Sequence, residues 1–140
     1  MTTTCVFCDI IAKRTEGHIV FEDDRCIAIL DIFPANPGHT LVMPKKHFSL
    51  LGEVPIEELT HAIQVVQRIG PAVQHAFNAQ GYNVLANNGS AAGQLVPHVH
   101  FHLVPRTMND GMKFEWPRND ASEGELVDSL VRIRKQLARN

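Results

Sequence analysis

The sequence predicts an α+β fold. It is a five-stranded antiparallel sheet with a long helix and a short N-terminal helix packed on it, plus a C-terminal helix. Three observations carry this reading. Short apolar runs sit side by side and are joined by tight turns, which favours antiparallel pairing. One long stretch, from Ile56 to Phe77, repeats its apolar positions with a helical period. The order is a helix, three strands, the long helix, two strands and a last helix, with the helices expected on one side of the sheet.

Each element has its own signal. Cys5 to about Arg14 suits a short helix that carries Ile10 and Ile11. His18–Glu22 and Cys26–Ile32 read as a hairpin turned by Asp23, Asp24 and Arg25. Pro34, Asn36, Pro37 and Gly38 mark a loop, and His39–Pro44 follows as a third, largely apolar strand. Pro55 suits the first position of the long helix, and Glu57 and Glu58 suit its first turn. Gly70-Pro71 falls inside that helix and predicts a kink or a local break. Tyr82–Asn87 is the fourth strand, "NNGSAAGQ" a polar loop, and His98–Val104 the fifth strand. Glu123–Arg139 is the last helix, with Leu126, Leu130, Ile133 and Leu137 on one face.

The bulk numbers narrow the class. A chain of 140 residues suits one domain spanning 1–140. With 44% hydrophobic and 20% charged residues it resembles ordinary globular proteins. A net charge of −2 argues against a nucleic-acid footprint, though not against a small nucleotide. No apolar stretch approaches the ~20 residues of a membrane span. "MTTTCVFCDIIAKR" lacks a basic segment before its apolar residues and is interrupted by Asp9, so it does not read as a signal peptide. Three cysteines do not suggest a disulfide framework. These points together predict a cytoplasmic protein with no membrane partner.

The run "VPHVHFHLVPR" places His98, His100 and His102 on alternate residues. On a strand they would share one face, with Val99, Phe101 and Leu103 on the other. A solvated strand face is one reading, though Thr, Lys or Glu would serve solubility better. A cage made by all three around one ion is excluded, because His98 and His102 would lie ~13 Å apart along a strand. A nucleophilic role fits better. Neutral imidazole, with an ordinary pKa of ~6.5, attacks phosphorus without a separate base. His100 is central and flanked by two groups able to hold it or the phosphate charge.

The run His98-Val99-His100-Phe101-His102-Leu103-Val104 resembles the motif of the histidine triad (HIT) superfamily of nucleotide hydrolases and transferases. "DIFPANPGHTLVMPKKH" and "NNGSAAGQLVPHVHFHLVPR" both resemble blocks of that family, in the right order. The likeness covers about residues 5–120 and is greatest to the zinc-containing branch of Hint-type proteins and microbial dinucleoside polyphosphate hydrolases. It implies that His100 is the nucleophile and forms a nucleotidyl–histidine at the α-phosphorus. It implies that His102, His39 and Gln94 lie near the phosphate, with Gly93 and its loop offering backbone N–H groups. By the same resemblance Asp31 holds the ribose hydroxyls, Asn87 lies near sugar and phosphate, and Phe7, Ile10, Ile29 and Ile32 sandwich the purine. Leu95 departs from the pattern, since Hint-type phosphoramidases carry a serine there that is thought to help the leaving group. Trp116-Pro117 resembles tryptophan-containing tails that influence substrate choice across the family's dimer; a packing role is the alternative.

Cys5-x-x-Cys8 has the spacing of two ligands of a tetrahedral Zn²⁺, with a free or redox-active pair as the alternative. The resemblance supplies His47 and His98 as the other two, giving one closed, structural Zn²⁺ site per chain. It also implies a homodimer. The expected activity is hydrolysis of a purine nucleotide at the α-phosphate, on dinucleoside polyphosphates or adenylylated small molecules. A nucleotide-binding regulatory module with negligible turnover is the rival from another class.

Overall fold

The computed structural model describes residues 5–139. Helix α1 is Val6–Ile11, and strands β1, β2 and β3 are Ile19–Glu22, Cys26–Leu30 and Thr40–Pro44. Helix α2 is Ile56–Ala76, strands β4 and β5 are Gly81–Leu85 and Phe101–Arg106, and helix α3 is Glu123–Leu137. The five strands form one sheet in the order β1-β2-β3-β5-β4, and every neighbouring pair is antiparallel. The architecture is the α+β one expected. Among the described residues no helix is long and apolar enough to cross a membrane.

Contrary to the expectation of one helical side, the helices do not share one face of the sheet. Cys26, Ala28 and Val42 pack with α2, together with Phe101 and Leu103. Their strand neighbours Ile27, Ile29, Leu41 and Met43 pack with Phe7 and Ile10 of α1. Successive residues of a strand point to opposite faces, so α1 and α2 cover opposite faces. The reason is legible in β2 and β3. Their "CIAI" and "TLVMP" runs are buried without alternation, the pattern of a strand covered twice. Each of the larger side chains so buried stabilises the fold by about 1.5–3 kcal/mol relative to exposure.

Helix α2 buries the stripe Ala62, Val65, Val66, Ile69, Gly70 and Val73 against the sheet. It starts at Ile56, with Pro55 as its N-cap, and runs through Pro71 without the expected break. The carbonyl that Pro71 leaves without an N–H belongs to Gln67, an exposed residue on the solvent side of the helix. Gly70 is required by contact: a Cβ there would lie 2.6 Å from the Tyr82 ring. Helix α1 ends earlier than expected because Lys13 turns the chain with φ 61°.

Strand β5 begins at Phe101, not His98. Two hydrogen bonds end the ladder. Val99 donates its N–H to the Phe48 carbonyl at 2.7 Å, away from β3. Pro44, two positions beyond the last β3 residue paired with β5, has no N–H, and its carbonyl accepts instead from His98 Nε2 at 2.8 Å. So His98 and His100 precede the strand, and only His102 lies within it. Helix α3 is capped by Ser122 and Glu125 but buries no residue; Leu126, Leu130, Ile133 and Leu137 all lie open.

Candidate active site

A cavity of about 380 Å³ opens on the α1 face of the sheet. Phe7 and Ile10 form one wall, Ile29 and Leu41 the floor, and His100 and His102 the far end. Asp31 and Gly93 also line it, and Ile32 stands at its lip, 72% exposed. Leu41 and Val96 line it as well and were not singled out from the sequence. Leu41 was findable, since it stands two residues after His39 on β3 and so shares its face. Thr15, Glu16 and His18 close the opposite end, where Leu30 donates its N–H to the His18 carbonyl at 2.9 Å.

Backbone groups decide which nitrogen of each histidine carries the proton. His100 Nδ1 lies 2.6 Å from the His98 carbonyl, which can only accept. The proton is therefore on Nδ1, and Nε2 keeps a free lone pair. His39 Nδ1 accepts from the Ala35 N–H at 3.1 Å, so its Nε2 carries the proton and donates to His102 Nδ1 at 2.9 Å. That leaves His102 with an Nε2–H to offer. Burial lowers the pKa of His39 and His100, and burial followed by His100 and His39 brings His102 down to about 4. All three are neutral at pH 7. The Phe7 ring stands edge-on to His100, with centroids 5.0 Å apart, and limits how the imidazole can turn.

Asp31 uses one carboxylate oxygen to accept from the Phe33 N–H at 2.8 Å, which directs the chain after β2. Its other oxygen lies 3.6 Å from His39 Nε2. The 88–94 loop is shaped by Gly89 and Gly93, both at positive φ. Asn87 donates from its amide to the Gly93 carbonyl at 3.3 Å. Gln94 does not line the cavity. Its amide accepts from the Gly89 N–H and donates to the Ser49 carbonyl, both at 2.8 Å. Through these two bonds it braces the loop.

Cys5, Cys8, His47 and His98 converge beside this site, each pair of ligating atoms within 4.8 Å. Three of the sulfur–nitrogen distances are 3.4–3.6 Å, and the two Nδ1 atoms are 3.2 Å apart. A tetrahedral ion with bonds of about 2.3 Å to sulfur and 2.0–2.1 Å to nitrogen sets edges of about 3.5 Å between such atoms. His98 donates from Nε2 to the Pro44 carbonyl, so Nδ1 faces the cluster as a lone pair. Without a cation, burial and then Cys5 push the Cys8 thiol up to about 11. The set fits a metal ion. Cys5, Cys8 and Cys26 are all free of disulfides, and Cys26 is buried in the core.

A second cluster, Asp31, His39 and His102, is equally tight. It does not fit a metal. The His39 Nε2–H that points to His102 occupies the place where an ion would sit.

Comparison with known proteins follows the same lines. The HIT domain model matches residues 12–109. An adenosine 5'-monophosphoramidase of Saccharomyces cerevisiae is 36% identical over 138 residues, covering 98% of this chain and 82% of that protein. An adenylylsulfatase of Arabidopsis thaliana is 40% identical over 106 residues, 76% of this chain and 54% of that protein. A HIT family structure from Bacillus subtilis superposes with TM-score 0.88 at 36% identity, covering 95% of this chain and 96% of that one. A zinc-bound histidine triad protein from Mycobacterium smegmatis gives 0.74 at 36% identity, covering 95% and 97%.

Proposed function

The chain belongs to the HIT domain family, and we propose that it hydrolyses purine nucleotides at the α-phosphorus through a covalent intermediate on His100. The observation that carries this is the free Nε2 of His100, held toward the cavity because Nδ1–H is bound by the His98 carbonyl. The likeness to an adenosine 5'-monophosphoramidase and an adenylylsulfatase supports a nucleotide substrate.

The geometry supports the following roles. The purine packs between Phe7 and Ile10 on one side and Ile29 on the other, with Ile32 at the lip. The open lone pairs of Asp31 accept from the ribose hydroxyls. His102 Nε2–H points its hydrogen at a phosphoryl oxygen, and His39 fixes that polarity from behind. Gly93 lines the phosphate end without a side chain, its own N–H being donated to the Ser90 carbonyl at 3.0 Å, while Asn87 and Gln94 hold the loop around it. His100 Nε2 attacks phosphorus, the leaving group departs, and water then frees the nucleoside monophosphate.

The Cys5, Cys8, His47 and His98 set would hold one Zn²⁺, which supplies structural cross-linking with no open coordination position. Its consequence for the chain is direct: His98 ties the cluster to the nucleophile through its own carbonyl. The exposed apolar stripe of α3 is where a second copy would pack, consistent with a two-fold dimer. Three free cysteines suit the cytoplasm.

His100→Ala is expected to lower turnover by on the order of 10³-fold or more with nucleotide binding retained. Rapid mixing followed by an alkaline quench, which preserves a phosphorus–nitrogen bond, should reveal a nucleotidyl adduct by mass spectrometry only in the parent protein. Binding without nucleoside monophosphate release from any nucleotide would instead mark a regulatory module.

A further inference from the structure

In the hydrolase reading above, the His102 Nε2–H meets the phosphoryl oxygen, and His39 sets its direction. Resting on that reading, we propose that Asn36 is a positioning residue for this donor. Held by the Arg106–Asp110 ion pair, it keeps the Ala35 N–H on the His39 ring, and thereby the His102 proton turned toward substrate.

Three observations lead there. The first is a turn. Asn36-Pro37-Gly38-His39 is closed by the His39 N–H, which donates to the Asn36 carbonyl at 3.1 Å. Pro37 in second place and Gly38 at φ 89° in third make the pattern of a type II turn. This bond ties the main chain of His39 to Asn36. The His39 ring is governed from the other neighbour of Asn36, since Nδ1 accepts from the Ala35 N–H at 3.1 Å.

The second is the Asn36 side chain, which leaves the turn and reaches the end of β5. Its amide has two hydrogens, and both are placed. One goes to the Pro105 carbonyl and the other to Asp110 Oδ2, each at 2.9 Å. A side chain bound at both donors fixes the main chain on either side of it.

The third is that Asp110 is itself held. Arg106 donates from Nε to Oδ2 at 2.7 Å and from Nη2 to Oδ1 at 3.2 Å. The N–H groups of Thr107 and Met112 add bonds to Oδ2 at 3.2 Å and to Oδ1 at 2.9 Å. Such a fork on a carboxylate is of the stronger, charge-assisted kind. Arg106 and the Met112 N–H hold the Asp110 carboxyl well below the usual carboxylate range, so it stays charged. Arg106 is braced in turn by Asn83 of β4, whose Oδ1 accepts from Nη1 at 2.8 Å. Neither Asn36, Arg106 nor Asp110 lines the cavity. The network therefore acts on the reaction only through His39.

The test is ¹⁵N NMR of the imidazole rings at pH 7, which separates an N–H from a lone-pair nitrogen. Signals are assigned by their loss in His39→Asn and His102→Asn. In the parent protein both rings should carry the proton on Nε2 alone. In Asn36→Ala both should become mixtures of the two tautomers. The rate constant kcat for AMP release from adenylyl sulfate and adenosine 5'-phosphoramidate should fall about three- to tenfold, the net worth of one hydrogen bond, with KM unchanged. Asp110→Asn, which keeps the shape but removes the charge and one acceptor, should move the rings and kcat in the same direction. Asn83→Ala takes a different partner from Arg106, so it should lower the melting temperature and leave the rings and kcat as in the parent. Ring tautomers unchanged in folded Asn36→Ala, or kcat lowered as much by Asn83→Ala, would reduce Asn36 to a structural role and overturn the inference, with the hydrolase reading intact. Altered tautomers in Asn36→Ala, with AMP released from neither compound by the parent, would uphold the positioning of the proton and overturn the hydrolase reading instead.

Discussion

Two clusters are each built around a pair of histidines, and His98 of one lies four residues from His102 of the other. One joins His47 and His98 with Cys5 and Cys8, the other His39 and His102 with Asp31. In each, the ligating atoms all lie within 4.8 Å of one another. Their chemistry nevertheless differs, and the cause is the backbone group on the far side of one ring. His98 meets a carbonyl, that of Pro44, so its proton sits outside and a lone pair faces in. His39 meets an N–H, that of Ala35, so its lone pair sits outside and a proton faces in. A lone pair facing in makes a ligand; a proton facing in makes a donor. Proximity of histidines says little about metal binding until that outer partner is known.

Cys8→Ser should break the first cluster with the largest effect on the fold. Metal analysis of protein purified without added zinc should find about one zinc per chain in the parent and none in the variant. Thermal unfolding should show a loss of several kcal/mol, since structural zinc contributes on the order of 10 kcal/mol of apparent binding energy in zinc fingers. Full zinc content in the variant would remove Cys8 from the ligand set. His39→Asn sharpens the contrast from the other side. Without the His39 Nε2–H, His102 can move its proton to Nδ1 and turn a lone pair toward the phosphate. The rate constant kcat should fall by about 10- to 100-fold, as for lost supporting partners elsewhere, with zinc content unchanged. A variant that lost zinc would show that the two clusters are not separate.

Acid gives the mildest contrast. His39, His98, His100 and His102 all have pKa values lowered by burial. The unfolded chain therefore takes up protons near pH ~6.5 while the folded chain still refuses them, so the unfolded state binds more protons in that window. The histidine contribution to stability is full above pH ~6.5, falls as pH drops below it, and levels off near 4, where His102 at last takes a proton; carboxylates held low by their partners, such as Asp110 beside Arg106, carry the loss further in acid. Urea midpoints at pH 7 and pH 5 check the sign; a higher midpoint at pH 5 would refute it.

Much of this was readable from residues in a row. The alternation of His98, His100 and His102, the Cys5-x-x-Cys8 spacing and the doubly apolar β2 and β3 are local patterns, and they pointed to the site and to the strands. What was not readable depends on groups distant in sequence or lacking a side chain. The late start of β5 comes from Val99 turning to Phe48, and a pattern of side chains does not contain that bond. The proton positions come from the carbonyls of Pro44 and His98 and the N–H of Ala35. Gln94 sits beside the histidine run in sequence, yet its amide spans to Ser49. Placing α1 opposite α2 required reading the lack of alternation in β2 as two covered faces.

That double cover has a consequence for how such a protein can change over generations. Along β2 and β3 the even-numbered residues Cys26, Ala28 and Val42 hold α2, whereas Ile29 and Leu41 wall the cavity. A variant at one set alters what keeps the chain folded, and a variant at the other alters what the cavity accepts. Because neighbouring positions of one strand answer to different demands, the pocket can drift toward a new substrate one alternate residue at a time while the helix-bearing face keeps its packing.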